Sequence, residues 1–196
     1  MIKVSFVIPA YNEEKNIANC IASILHQEEL KDYEIIVVND GSKDKTSKIV
    51  KGLIKKNKSI QLLDLKANKG RGNARYIGVK KAGEDYVSFV DADIILPKHW
   101  LKTCLKNLGE GFDAVGGIAV PDGDVTYISQ RFKLNPKIIP HTTGITGSNA
   151  IYKKEVFREI ELNSKLRGGE DTDLNWKIDK AGFKIKLISN LTVEHK

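Results

Sequence analysis

Several short stretches of this sequence carry residues that do chemistry when brought together. They are Asn39-Asp40-Gly41-Ser42, the basic Gly-rich Asn68-Lys69-Gly70-Arg71-Gly72-Asn73, Asp91-Ala92-Asp93, Gly168-Gly169-Glu170-Asp171 and Glu194-His195. In a continuing strand, Asp91 and Asp93 would point both carboxylates the same way. Two hard, like-charged groups on one face repel unless a cation sits between them, and Mg²⁺ or Mn²⁺ suits such oxygens while sharing them with substrate phosphates. The same residues also read as an acidic turn after a strand. Asp40 belongs to strong Asn-Asp-Gly turn chemistry, and as an acceptor at a strand end it can take an N–H from a ligand base. Lys69, Arg71 and Arg75 either neutralise phosphate or are solvated. Asp171 reads as a helix N-cap with Glu170 beside it, or as a general base whose pKa the second carboxylate raises. His195 is a surface residue or a further ligand to the same metal. Trp176 reads as core or pocket wall.

These groups need elements to position them. Val4 to Pro9, Glu34 to Val38, Ile60 to Leu65 and Tyr86 to Val90 are short apolar runs that predict buried strands. Each is followed by a helical pattern. Asn12 is placed to cap the first helix and Asp44 the second, and the loop at 68–73 leads into the third. Trp100, Leu101, Cys104, Leu105 and Leu108 mark the fourth. Four βα units in a row predict a parallel, helix-covered sheet. Ligands of such sheets bind beyond the carboxyl ends of the strands. Pro9-Ala10-Tyr11-Asn12, the Asp40 turn and Asp91-Ala92-Asp93 all lie at such ends, so parallel strands bring them to one edge.

After Phe112 the pattern loosens. Asp113 to Ala119 reads as a strand, and residues 120–143 show no clear period. Gly147 to Tyr152 reads as a strand, with a short helix near Lys153 to Glu159. Asp171 to Ala181 is helical, and Ile185 to Ile188 and Leu191 to Glu194 read as two closing strands.

The chain has 196 residues, 41% of them hydrophobic and 29% charged. That is one domain's worth of sequence at roughly 150 residues per domain. The net charge of +7 is spread along the chain and fits an anionic ligand, with no motif for nucleic acid. No run approaches the roughly 18 apolar residues of a membrane span, and the start does not read as a signal peptide. Cys20 and Cys104 stand far apart and outside any zinc spacing, so a reducing, cytoplasmic setting is expected. Neither GxGxxG nor GxxxxGK[ST] occurs, which argues against dinucleotide and P-loop folds.

With Val7-Ile8-Pro9-Ala10-Tyr11-Asn12-Glu13-Glu14, the extended loop motif Asn68 to Arg75 and Gly147-Ser148-Asn149-Ala150 added, the motifs fall in a familiar order. The chain resembles the family 2 glycosyltransferases of the nucleotide-diphospho-sugar transferase (GT-A) fold. The resemblance implies an α/β fold with a mostly parallel central sheet and helices on both faces. It implies a single domain over 1–196, with a nucleotide-sugar-binding half at 1–110 and an acceptor or catalytic half at 111–196. Pro9, Tyr11 and Glu13 would line the nucleoside pocket, and Asp40 would meet the base, uracil by this reading. Lys69 and Arg71 would lie near base or diphosphate, Asp91 near the ribose with Ala92 beside it. Asp93 and His195 would hold Mn²⁺ or Mg²⁺ on the diphosphate. Asp171, with Glu170, would take the acceptor proton in a single inverting displacement.

Asn39 replaces the family's usual Asp, and Ile94 follows Asp93 where a polar residue is common. The Gln-x-x-Arg-Trp motif of processive polymerases is absent after Asp171, which points to transfer of single sugars. The implied partners are a nucleotide-diphosphate sugar donor and a glycan or lipid-linked acceptor. The acceptor side would include Arg131, Lys133, Lys137 and His141 in a loop serving as a lid. Competing readings are GDP-mannose-type donor specificity and a nucleotide-sugar-binding protein without turnover. The basic run Lys51 to Lys58 fits peripheral contact with the inner membrane face, or a solvated helix end favoured by the dipole.

Overall fold

The computed structural model describes residues 3–121 and 144–196. The lid reading of Arg131, Lys133, Lys137 and His141 lies outside the described residues. Among the described residues, eight strands form one sheet: β1 (Lys3–Ala10), β2 (Asp32–Asn39), β3 (Ile60–Asp64), β4 (Tyr86–Val90), β5 (Ile94–Ile95), β6 (Ala114–Pro121), β7 (Asn149–Lys153) and β8 (Ile185–His195). Their spatial order is β3-β2-β1-β4-β7-β6-β8-β5. The first four strands are mutually parallel, as four βα units require. β7 enters antiparallel between β4 and β6, and β6 pairs in parallel with β8.

Helices α1 (Ile17–Leu25), α2 (Thr46–Lys56), α3 (Arg71–Lys81), α4 (Trp100–Gly109), α5 (Val156–Glu159) and α6 (Glu170–Lys180) cover the two faces. The period of a strand decides which residue meets which layer. Phe6 and Ile8 of β1 join a core with Ile17, Ile21 and Ile24 of α1 and Trp100, Leu101 and Cys104 of α4. Val7, between them, faces the opposite core with Ala74 of α3, Tyr152 of β7 and Leu174 and Ile178 of α6. Gly78 seats α3 on the sheet, since a Cβ there would overlap Cγ1 of Val7.

Several local expectations are corrected. Asn12 does not cap α1: it sits at φ 58°, its side-chain carbonyl accepts the Lys43 N–H, and the helix begins at Ile17. The Asp44 carboxylate does accept the Thr46 N–H at the start of α2. The two closing strands are one, β8, which crosses the exposed Ser189 and Asn190 and bulges opposite Gly117. Lys55 and Lys56 lie in the last turn of α2, where the helix dipole favours them, and Lys51 pairs with Asp64 at 2.9 Å. Among the described residues, no helix is long and apolar enough to cross a membrane.

Candidate functional site

Because β1, β2 and β4 are parallel, their carboxyl ends share one edge of the sheet. Tyr11, Asp40 and Asp91 each follow the last residue of one of these strands. There they open onto a cavity of about 290 Å³. Its wall includes Pro9, Tyr11, Glu13, Asp40, Arg71, Asp91, Ala92 and Asp93, all expected from the sequence. Asn68, Gly70 and Arg167 also line it and were not foreseen as donor contacts. The signal for Arg167 was only a cation ahead of Gly168-Gly169. A larger groove of about 780 Å³ runs past Tyr76, Ile160 and Trp176. It holds none of the strand-end carboxylates, so the smaller cavity is the candidate site. Trp176 is 59% exposed, with the Lys180 ammonium 4.9 Å from its ring, and belongs to that groove rather than to the core.

Asp40 is 3% exposed, and its carboxylate accepts the backbone N–H groups of Lys69 and Gly70 at 2.8 to 3.2 Å. The loop before α3 is thereby fixed against the end of β2. Lys69 serves through its amide, and its side chain is not part of the cavity wall. Asn39 turns away from the cavity, donating to Asp64 and accepting the Ser42 N–H.

Asp91 and Asp93 do not lie on a continuing strand. β4 ends at Val90, and a turn closed by the Ile94 N–H on the Asp91 carbonyl replaces the continuing strand, so the two carboxylates take different partners. Asp91 meets Arg75 Nη2 at 2.5 Å and Arg71 Nη1 at 3.3 Å. Asp93 Oδ2 lies 3.0 Å from His195 Nε2. Pairing of β5 with β8 sets Ile94 opposite His195, and the Lys196 N–H reaches the Asp93 carbonyl at 2.9 Å. Among the described residues, no three His, Cys, Asp or Glu side chains gather to hold a metal alone. A Mg²⁺ or Mn²⁺ ion is usually held by one or two protein groups with the rest from phosphate and water. The Asp93–His195 pair fits that requirement.

Arg71 bridges Asp91 and Glu170, with Nε 2.7 Å from Glu170 Oε1. Partial burial works against its charge, yet Asp91 and Glu170 outweigh it and hold Arg71 above the ordinary arginine range. Burial pushes the Glu13 carboxyl up; the Asn16 amide pulls it back, and Asp93, Asp44 and Asp91 add to the rise.

Asp171 lies in the first turn of α6, after Gly169 at φ 73°. It is therefore one turn position inside the helix and not its cap. Its Oδ1 accepts the Thr172 N–H, and its Oδ2 stands 3.4 Å from the Gly147 amide. Glu170 is 1% exposed, and its Oε1 accepts from Arg71 and Arg75. Its charge is compensated by two guanidinium groups, so it is closed off from substrate. Arg75, expected at phosphate or in solvent, is 1% exposed and bound to carboxylates.

A sequence model of the family described as Glycosyl transferase family 2 matches residues 5–161. A poly-beta-1,6-N-acetyl-D-glucosamine synthase of Staphylococcus epidermidis (strain RP62A) is 28% identical, over 93% of this chain and 47% of its own length. The uncharacterized glycosyltransferase EpsJ of Bacillus subtilis (strain 168) is 28% identical, over 94% of this chain and 58% of its own. The chain spans about half the length of the curated relatives it matches. Residues 1–349 of S. aureus TarS in complex with UDP-GlcNAc superpose with a TM-score of 0.77 at 25% identity, over 99% of this chain and 58% of that one. A mannosyltransferase of Pyrobaculum calidifontis, solved with GDP-Man and Mn²⁺, shares the fold with a TM-score of 0.80 at 22% identity, over 98% of this chain and 56% of that one.

Proposed function

The chain belongs to glycosyl transferase family 2, and from that premise we propose that it moves one sugar from a UDP-sugar to an acceptor hydroxyl by a single inverting displacement. Support for the donor site comes from the convergence of Tyr11, Asp40, Asp91 and Asp93 on one cavity beyond parallel strand ends. Asp40 accepts an N–H of the base, in addition to those of Lys69 and Gly70. Pro9, Tyr11 and Glu13 form the nucleoside wall, with Asp91 at the ribose. Asp93 and His195 would hold a divalent cation, which would supply charge neutralisation for a departing diphosphate. Arg71 and Arg167, at the same cavity, add positive charge where that diphosphate leaves. Asp171 takes the proton of the acceptor hydroxyl as its oxygen attacks the anomeric carbon. Glu170 positions Asp171 and is not the base.

The UDP preference is supported by the TarS complex, a UDP-GlcNAc-bound relative of the same fold. The polysaccharide product named for the S. epidermidis synthase supports a glycan acceptor. Two buried, unpaired cysteines, Cys20 and Cys104, are in keeping with a cytoplasmic setting. The reading is tested by calorimetric titration of UDP and of GDP, each with Mn²⁺ and with EDTA, and by UDP release from UDP-GlcNAc with water as acceptor. Mn²⁺-dependent UDP binding with slow UDP release is expected. Preference for GDP would move the donor class to GDP-sugars, and binding of neither would remove the assignment of the cavity.

A further inference from the structure

Asp91, Gly147 and Glu170 come from three separate segments: the turn after β4, the loop before β7 and the start of α6. One guanidinium holds all three. Arg75 Nη2 donates to Asp91 Oδ1 at 2.5 Å and to the Gly147 carbonyl at 2.6 Å, and Nη1 donates to Glu170 Oε1 at 2.6 Å. The Phe89 ring lies 5.4 Å from its Cζ. A Cβ on Gly147 would overlap this guanidinium, so the loop approaches it only as glycine.

We infer that Arg75 is a positioning residue that sets the acceptor-side Asp171 against the donor-side Asp91, through Glu170 and Gly147. The inference rests on the proposed role of Asp171. Glu170 precedes Asp171 directly, and the Gly147 N–H faces Asp171 Oδ2 at 3.4 Å. The two neighbours of the base are therefore both gripped by Arg75. The guanidinium holds these three acceptors from a rigid planar fork, whereas a lysine ammonium presents its three donors from a single point on a flexible stem. The buried cluster is balanced, with Arg71 and Arg75 facing Asp91 and Glu170. Loss of Arg75 leaves Glu170 buried against Arg71 alone, and Arg71 has 45% of its side chain exposed. A misplacement of about 1 Å at a reacting group costs about 100-fold in rate. Glu170 is thus the handle by which the donor side holds the base.

The test compares Arg75→Lys, Gly147→Ala and Arg75→Ala with the unaltered chain. The Lys variant keeps the charge, and the Ala variant at Gly147 keeps Arg75 while crowding it, so the inference does not depend on Arg75→Ala folding. Hydrogen exchange should show lost protection at Gly147 and in the first turn of α6 in both. UDP release from UDP-GlcNAc should fall in kcat by about 100-fold, with UDP–Mn²⁺ affinity changed far less. Added guanidinium ion should restore part of the rate to Arg75→Ala. Unchanged exchange and kcat in both Arg75→Lys and Gly147→Ala would overturn the inference, as would an equal loss of UDP affinity and kcat. An unaltered chain that releases no UDP would instead count against the proposed function. The exchange arm still reads the coupling in that case: unchanged protection overturns it and lost protection upholds it.

Discussion

The imidazole of His195 stands 3.0 Å from the carboxylate of Asp93, a residue 102 positions earlier in the chain. The pairing of β5 with β8 makes this contact, so a two-residue strand places half of the candidate metal shell. Asp93→Ala should reduce UDP affinity in Mn²⁺ to its value in EDTA. His195→Ala should weaken Mn²⁺-dependent binding by about 10- to 100-fold. Calorimetry reads both; Mn²⁺-dependence that survives Asp93→Ala would move the metal elsewhere.

Asp171→Asn keeps the size of the side chain and removes its basicity. UDP release from UDP-GlcNAc should fall by about 100- to 10,000-fold, the usual contribution of a general base. Titration with UDP and Mn²⁺ should give the affinity of the unaltered chain. Unchanged turnover would sink the assignment of the base.

Asp113 ties three strands together. Its Oδ2 accepts the Lys184 N–H at 2.9 Å and its Oδ1 pairs with Lys153 Nζ at 3.0 Å. Partial burial pushes its carboxyl up, but the Lys184 amide and the Lys153 ammonium prevail and hold it below the usual range. A depressed carboxylate stabilises the fold above its unfolded pKa, about 3.9, and loses that contribution as pH falls through the folded value. Asp113→Asn should therefore cost about 1–2 kcal/mol at pH 7, with the gap to the unaltered chain closing in acid. Urea unfolding across the acid range checks this; a gap that stays constant would show that the charge plays no part.

The seat of α3 predicts a coupled pair. Gly78→Ala should destabilise the fold by about 1–3 kcal/mol, because the added methyl meets Val7. Val7→Ala makes room for it, so the double variant should be less destabilised than the sum of the single ones. Denaturant midpoints of the four proteins decide it, and simple additivity would mean that α3 moves aside instead.

The parallel core was readable because β1, β2 and β4 are largely buried on both faces and so contain near-continuous apolar runs, broken in β1 and β4 only by the buried Ser5 and Ser88. Their order then brought Tyr11, Asp40 and Asp91 to one edge. Side-chain direction was less accessible. Spacing alone aims Asp91 and Asp93 together, but the chain turns after Val90, and the two find different partners. Arg75 looks like any basic residue of a helix; only the tertiary approach of Glu170 and Gly147 makes it an interior group. β5 is too short to carry a period, and the exposed Ser189 and Asn190 interrupt the apolar pattern of β8.

The insertion of β7 between β4 and β6 bears on synthesis at the ribosome. β4 is complete at Val90, whereas the strand that covers its outer edge begins at Asn149. At about 5–20 residues per second, that interval lasts several seconds. During it the nascent N-terminal half presents the unpaired backbone edge of β4, with apolar Val87 and Phe89 still without Tyr152 and Ala150 opposite them. The half whose strand ends carry Tyr11, Asp40 and Asp91 is therefore open to misassociation as it emerges, and its β4 edge is covered only when Asn149–Lys153 arrives.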